Sequence, residues 1–450
     1  MPDQPAQPSN SEKKTKRQSW FADATLRGVL RNAGLLLGGK ASGALLHLAG
    51  LALAARALGP QAFGVLTLIN TYALTASGLA RFQSWQAIIQ YGTPALHGED
   101  RQRLVDVLLF ALALDLGTGF LGMLGAMVLL PWLGENVGIP RNQLGVALAY
   151  ATLIPTMTIA TPTGVLRLLD RFDLMAWQSI VLPGLRLVGV AACWLAGAPF
   201  VAYALVWWLS DLVGDIVLIW MAWWELHRRG LLEGVRPRLR AVTSPGEGIW
   251  SFVWFTNLGS SLNVAWGPLS NLVVGAVLGP AAAGLYRVAQ TVTDALTKPA
   301  ELLSRAFYPE IARLRQNART DDFWRLSARS AGLAGLGAAA AAAVVALLAS
   351  PFVRAAFGGS YAAAAVPLAI MAISLVLTVP AFPLEPLLVT LGHVRTAFVV
   401  RAAVTVTYLG LLGALAHLAG LTGAAVAYVL GALGLAAGML LALLLLRRRV

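Results

Sequence analysis

The chain has 450 residues, of which 58% are hydrophobic and 12% charged, and its 34 Lys and Arg against 21 Asp and Glu give a formal net charge of +13. Soluble domains carry roughly a quarter charged residues, so this composition excludes an ordinary globular protein. Apolar runs near or above ~18 residues recur along the whole length, each able to cross a ~30 Å hydrocarbon core, and the chain reads as an all-α polytopic membrane protein.

Residues 1–28, opening MPDQPAQPSNSEKKTKRQSW, are polar, basic and Pro-containing. No short apolar core with a small-residue cleavage site follows, so a disordered basic cytoplasmic tail is expected in place of a signal peptide. Twelve membrane spans are expected after it, at 32–57, 62–82, 104–130, 143–166, 174–196, 200–224, 249–277, 284–308, 329–349, 362–391, 396–417 and 421–446. They divide into an N-lobe (29–226, spans 1–6), a cytoplasmic linker (227–248, HRRGLLEGVRPRLRAVTSPGEG) and a C-lobe (249–450, spans 7–12).

The basic residues alternate from one inter-span segment to the next. On or beside one set of segments, including both termini, stand 27 of the 34 Lys and Arg; the opposite set holds only Arg56, Arg141 and Arg354. Positive excess marks cytoplasmic loops, which places both termini in the cytoplasm and accounts for the net charge without nucleic acid. The external loops are too short to hold a soluble active site, and no catalytic residue is assigned.

An internal repeat runs through the chain. LGPQAFG (58–64) between spans 1 and 2 returns as LGPAAAG (278–284) between spans 7 and 8, an offset of 220 residues that also pairs Gly39 with Gly259, Thr71 with Thr291, Ser84 with Ser304 and Pro131 with Pro351. Near the ends of the two halves LAGAPFVAYAL (195–205) parallels LAGLTGAAVAYVL (418–430) with a slip of a few residues. Two halves of six spans point the same way through the membrane, an arrangement known from transporters built as parallel repeats.

These features resemble the Wzx-type polysaccharide flippases of the multidrug/oligosaccharidyl-lipid/polysaccharide (MOP) exporter superfamily. The likeness rests on the twelve spans in two lobes, the Leu-Gly-Pro-x-x-x-Gly turn after spans 1 and 7, and FGGSY (357–361) before span 10. Leu66 and Ala283 depart from that pattern at positions without proposed chemistry. The resemblance implies a MOP flippase-like fold in the bacterial inner membrane. It also implies a substrate: an undecaprenyl-diphosphate-linked oligosaccharide, moved between leaflets by alternating access. The partners would be that lipid-linked glycan, membrane lipids, and the polymerase or glycosyltransferase machinery. A multidrug/cation antiporter of the same superfamily and a membrane-embedded polymerase are the alternatives.

A charge at mid-bilayer costs ~2.5–3.5 kcal/mol on insertion scales, so each buried one requires a reason. Span 8 carries Arg287, Gln290, Thr291, Asp294, Lys298, Glu301 and Arg305 at spacings of three or four, one helical face. Span 2, its repeat mate, carries Thr67, Asn70, Thr71 and Arg81. Such faces either line a hydrophilic path or form internal ion pairs. Lys40 and His47 share a face of span 1, and Lys40 has no acidic neighbour in sequence. These residues form the candidate headgroup site: Lys40, His47, Arg81, Arg287, Gln290, Asp294, Lys298 and Glu301. Spans 5 and 6 form a hairpin near Ala198 that brings Arg186 and Asp211 to the same depth, with Asp215 one turn further. Asp115, Arg186, Asp211, Asp215 and Glu385 are the candidates for coupling to H⁺ or Na⁺. Pro155 and Pro162 in span 4, and Pro367, Pro380, Pro383 and Pro386 in span 10, predict interrupted helices.

GLLLGGKA (34–41) falls short of a phosphate-binding loop, because Ala41 stands where Ser or Thr would ligate magnesium. The expected energy source is therefore an ion gradient or membrane potential. The lone Cys193 and the five His residues offer no metal-ligand spacing, and neither a metal nor a cofactor is expected.

Overall fold

A computed structural model describes residues 24–236, 238, 240, 242, 248–297 and 320–447. Residues 1–23 of the expected basic tail, most of loop 8–9, and the site candidates Lys298 and Glu301 lie outside these residues, while residues 24–28, expected in the tail, open the helix Ala24–Ala80. Among the described residues the regular structure is entirely helical. In hydrocarbon each backbone N–H and C=O must be satisfied internally, and a helix does this within one segment. Among the described residues seven helices are long and apolar enough to cross a bilayer, and an eighth span is a bent pair. Two of the seven, Gly38–His97 and Val394–Leu446, each contain two expected spans. Spans 7 and 8 complete the order as Ile249–Trp266 with Pro268–Leu278, and 280–297.

The repeated turn is a repeated backbone corner. Gly59 (φ 71°) interrupts the helix Ala24–Ala80, and Gly279 (φ 84°) ends the helix Pro268–Leu278. Only glycine adopts positive φ without steric cost, and the following Pro60 or Pro280 has the fixed φ that opens the next helix. The LAG repeat behaves likewise, with Gly197 at φ 60° and Gly420 at φ 62°.

The two corners pack against each other reciprocally. A Cβ on Gly284 would lie 3.0 Å from the Pro60 carbonyl oxygen and 3.2 Å from the Gly64 Cα, and a Cβ on Gly64 would overlap the Pro280 carbonyl. The last glycine of each motif thus receives the proline of the other. Two further equivalent contacts flank this centre. Gly138 (φ 89°) approaches the Gly275 carbonyl, while Gly358 (φ 95°), 220 residues on, sits over Arg56. Tyr361 donates to the Ala55 carbonyl at 3.1 Å, Arg56 donates to the Ala355 carbonyl, and the Phe63 and Tyr361 rings meet edge-on at 6.0 Å. Phe63, Leu66, Tyr286 and Tyr361 are fully buried here, so the two halves close tightly at the end bearing the short loops.

At the linker end the halves touch through span 7, with edge-on ring pairs Phe82–Trp254, Tyr91–Phe252 and Phe110–Trp250. Nearby, the fully buried Glu225 carboxylate accepts from Arg171, Arg228 and Arg229, and Arg229 also donates to the Leu169 carbonyl. This knot ties the 4–5 loop to the end of span 6.

Spans 4 and 10 are interrupted, as their prolines predict. Span 4 bends by 51° between Arg141–Ala151 and Ile154–Leu168. Span 10 runs Ala365–Thr378, breaks through Pro380 and Pro383, and resumes as Leu384–Thr390. Span 7 differs from expectation: it is broken at Gly267 (φ −113°, ψ −103°) before Pro268. Proline cannot donate to the preceding turn, and the Ser270 hydroxyl instead reaches the Ala265 carbonyl.

Gly64→Ala and Gly284→Ala should each lower the melting temperature in detergent, by similar amounts corresponding to about 1–3 kcal/mol of overpacking. Gly145→Ala, where an added Cβ meets nothing within 4 Å, should leave stability unchanged or raise it. Melting temperatures insensitive to all three changes would rule out the reciprocal joint.

Candidate translocation site

In the first half, spans 2, 4, 5 and 6 converge on one buried carboxylate. Arg186 donates to Asp211 Oδ1 at 2.5 Å, Tyr150 donates its hydroxyl to Asp211 Oδ2, and Asn70 Nδ2 donates to the Tyr150 oxygen at 2.9 Å. The Arg186 guanidinium also lies 4.6 Å from the Trp207 ring centroid, a cation–π contact that strengthens when desolvated. The ion pair expected from the hairpin is therefore present, with Arg186 5% and Asp211 7% exposed. One turn along, Asp215 lies beside Thr156 and Arg81. Its Oδ2 and the Arg81 Nε are buried without a hydrogen-bond partner.

Asp115 has a different task. Its Oδ2 accepts from the Ala160 N–H (2.8 Å), the Thr161 N–H (2.8 Å) and the Thr161 hydroxyl (2.7 Å). It thereby caps Thr161–Leu168, the last helix of span 4, and satisfies donors that a second break, after Thr158, leaves open. Glu385 accepts from Arg401 through both oxygens at 3.1 Å, and Arg401 also donates to the Asn263 side chain. That bridge joins spans 10, 11 and 7.

The second half centres on aromatic rings. Trp266 stacks on Tyr408 at 4.2 Å and meets Tyr428 edge-on, and its indole N–H donates to Thr405. The Tyr408 hydroxyl pairs with Ser270 at 2.8 Å and with the Tyr286 hydroxyl at 3.4 Å. Gln290 donates to the Trp266 carbonyl at 2.9 Å, holding one of the carbonyls released where span 7 breaks. Gln290 and Asn70 are repeat mates at the 220 offset, yet one splints a broken helix and the other holds a tyrosine.

Arg287 stands between the two groups. It lies within Coulombic range of Asp294 on its own helix and of Arg186 in the other half, and it forms no hydrogen bond or ion pair with any described residue. Lys40 is exposed and His47 half-buried on span 1. Of the sequence candidates, the structure brings Arg186, Asp211 and Asp215 together, with Arg81 adjacent. It sets Arg287 and Asp294 opposite them and leaves Asp115 and Glu385 in separate clusters. Tyr150, Tyr286, Tyr408 and Arg401 were not singled out from sequence; the available signals were a hydroxyl inside an apolar run for the tyrosines and a charge inside span 11 for Arg401.

This geometry can be compared with known proteins. A family model described as polysaccharide biosynthesis protein matches residues 53–366, well over half of the chain. The chain belongs to this polysaccharide biosynthesis family. Inner membrane protein YghQ of Escherichia coli (strain K12) is 39% identical over 342 residues, covering 76% of this chain and 96% of that one. The family member described here is accordingly a multi-pass inner membrane protein. Its fold is that of MOP superfamily transporters. An inward-facing multidrug resistance MATE family transporter superposes with a TM-score of 0.69 at 18% identity, over 92% of this chain and 94% of the other. A MOP superfamily transporter from Pyrococcus furiosus, whose binding pocket is described as of reverse polarity, superposes with a TM-score of 0.65 at 17% identity, over 93% and 95%.

Asp211→Ala leaves the Arg186 guanidinium buried without its carboxylate and should destabilise the protein by about 3–5 kcal/mol. Replacing both partners, Arg186→Leu with Asp211→Leu, should recover most of that loss in detergent melting. A double variant no more stable than Asp211→Ala would contradict the pairing.

Proposed function

We propose that this protein is a flippase that carries undecaprenyl-diphosphate-linked oligosaccharides from the cytoplasmic to the outer leaflet. The observation that carries the reading is Arg287, a guanidinium between the two halves of a polysaccharide biosynthesis family member, without a carboxylate within ion-pair distance among the described residues. A cation so placed is costly unless an anion joins it. A diphosphate offers several charged oxygens to a guanidinium, which forms its strongest hydrogen bonds with such groups. Lys40 and Lys298 are further candidates for the headgroup, with His47, Arg81 and the span 8 stripe along the path.

Transport is by alternating access between an N-lobe (29–226) and a C-lobe (249–450) joined by the cytoplasmic linker, with both termini in the cytoplasm. The reciprocal glycine corners then form the closed periplasmic side. The glycan and diphosphate pass between the lobes while the polyprenyl tail stays in lipid. Coupling to H⁺ or Na⁺ is assigned to the Asp211–Asp215 face of span 6, where Asp215 retains a buried oxygen without a partner. The protein acts as a transporter and catalyses no covalent step.

In proteoliposomes loaded with a fluorescent lipid-diphosphate oligosaccharide, Arg287→Ala should slow flipping about tenfold or more, the loss of one charge-assisted hydrogen bond. Arg287→Lys should retain part of the rate. Wild-type flipping by a folded Arg287→Ala protein, and equally by its triple combination with Lys40→Ala and Lys298→Ala, would overturn the reading.

A further inference from the structure

Asn263, Glu385 and Arg401 form a polar cluster in the second half that the transport reading leaves without a task. Arg401 Nη1 donates to both Glu385 oxygens at 3.1 Å, and its Nη2 donates to Asn263 Oδ1 at 2.5 Å. One guanidinium thus fixes a carboxylate on span 10 and an amide on span 7, and each keeps an edge unused. The Asn263 amide N–H groups donate to no described residue, and Asn263 is exposed. The Glu385 side chain is 51% exposed, against 25% for Arg401.

The cluster borders the space between the halves. Glu385 and Arg401 stand roughly 7–10 Å inside the adjoining ends of Leu384–Thr390 and Val394–Arg447. A half-exposed carboxylate at that depth meets water, because lipid would charge it several kcal/mol, on the order of 2–3. Val264, the residue after Asn263, stands against Gly78 of span 2 in the other half. The position relative to Arg287 follows from one hydrogen bond. Gln290, a turn beyond Arg287, holds the Trp266 carbonyl, and Asn263 lies a turn before Trp266. The cluster is therefore about two helical turns, roughly 10 Å, from Arg287 towards the linker end.

The chemistry suits sugar hydroxyls, which both donate and accept. A carboxylate held in place by a guanidinium accepts charge-assisted hydrogen bonds from hydroxyls, and the amide N–H groups donate to others. A phosphate would be repelled by Glu385, which already neutralises Arg401.

We propose that Asn263 and Glu385 bind hydroxyl groups of the glycan beside its diphosphate, with Arg401 as the positioning residue. The inference rests on the reading of the protein as a carrier of diphosphate-linked oligosaccharides: Arg287 meets the diphosphate and this cluster meets the sugar.

The test measures dissociation constants of the purified full-length protein for undecaprenyl-diphosphate-linked oligosaccharide and for undecaprenyl diphosphate without a sugar. Glu385→Ala should weaken binding of the glycosylated carrier about tenfold, the loss of a charge-assisted hydrogen bond, and Asn263→Ala about fivefold. Neither change should alter binding of the sugar-free carrier. Glu385→Gln should retain part of the glycan affinity. Asn263→Ala leaves the Arg401–Glu385 pair intact, so it decides the matter should Glu385→Ala fail to fold. Equal weakening for both carriers, or unchanged binding of the glycosylated carrier, would overturn the inference. Arg287→Ala should weaken both carriers alike. If it weakens neither while Asn263→Ala still lowers only glycan binding, the diphosphate assignment fails and the sugar site stands.

Discussion

Two glycines and two prolines set the relation between the halves. Gly64 lies against the Pro280 carbonyl and Gly284 against the Pro60 carbonyl, a contact so close that a single added methyl group has no room. In a bilayer, helix association draws little from the hydrophobic effect and depends on close van der Waals approach, which small residues permit. The corners meet because Gly59 and Gly279 turn the chain by the same left-handed step in each half. Around that centre the equivalent contacts of Gly138 and Gly358, and the Tyr361–Ala55 hydrogen bond, extend the seal symmetrically. The corners themselves meet backbone against backbone, and Arg56 beside them bonds to the Ala355 carbonyl of the other half.

The same bilayer constraint explains the bonds of several polar residues inside the spans. Broken spans free backbone groups that lipid cannot satisfy. Asp115 supplies three bonds at the second break in span 4, before Thr161–Leu168, while Gln290 and Ser270 supply partners at the break in span 7. Once these structural duties are assigned, the charges near the seam among the described residues include Arg186 with Asp211, Asp215 with Arg81, and Arg287 with Asp294 on one helix. The halves have diverged inside a common frame. The first is built on an ion pair, the second on stacked tyrosine and tryptophan rings, and so a ligand between them meets chemically unlike walls.

Much of the architecture was legible in sequence because it is periodic. The spans follow from apolar length, the corners from a motif written twice, and the interruptions in spans 4 and 10 from clustered prolines. The Arg186–Asp211 pair could be foreseen because a hairpin brings its two strands of sequence to equal depth. Long-range pairing was harder to foresee. Asp115 finds Ala160 and Thr161 about 45 positions away in sequence, and no local pattern announces such a cap. Gln290 read as one member of a polar stripe, whereas its partner is a carbonyl freed by a break in span 7 that a single Gly-Pro step produces. Tyr150 and Tyr408 passed as ordinary apolar-run residues because a hydroxyl leaves almost no trace in hydropathy.

The proposed transport requires the two halves to part at the glycine corners when a lipid-diphosphate glycan is carried through. The most direct measurement places spin labels at Gln61 and Ala281, beside the two prolines, and reads the distance between them in proteoliposomes. A single short distance without substrate, joined by a longer population when undecaprenyl-diphosphate-linked oligosaccharide is added, is the predicted result. One unchanged short distance under conditions of active flipping would contradict it.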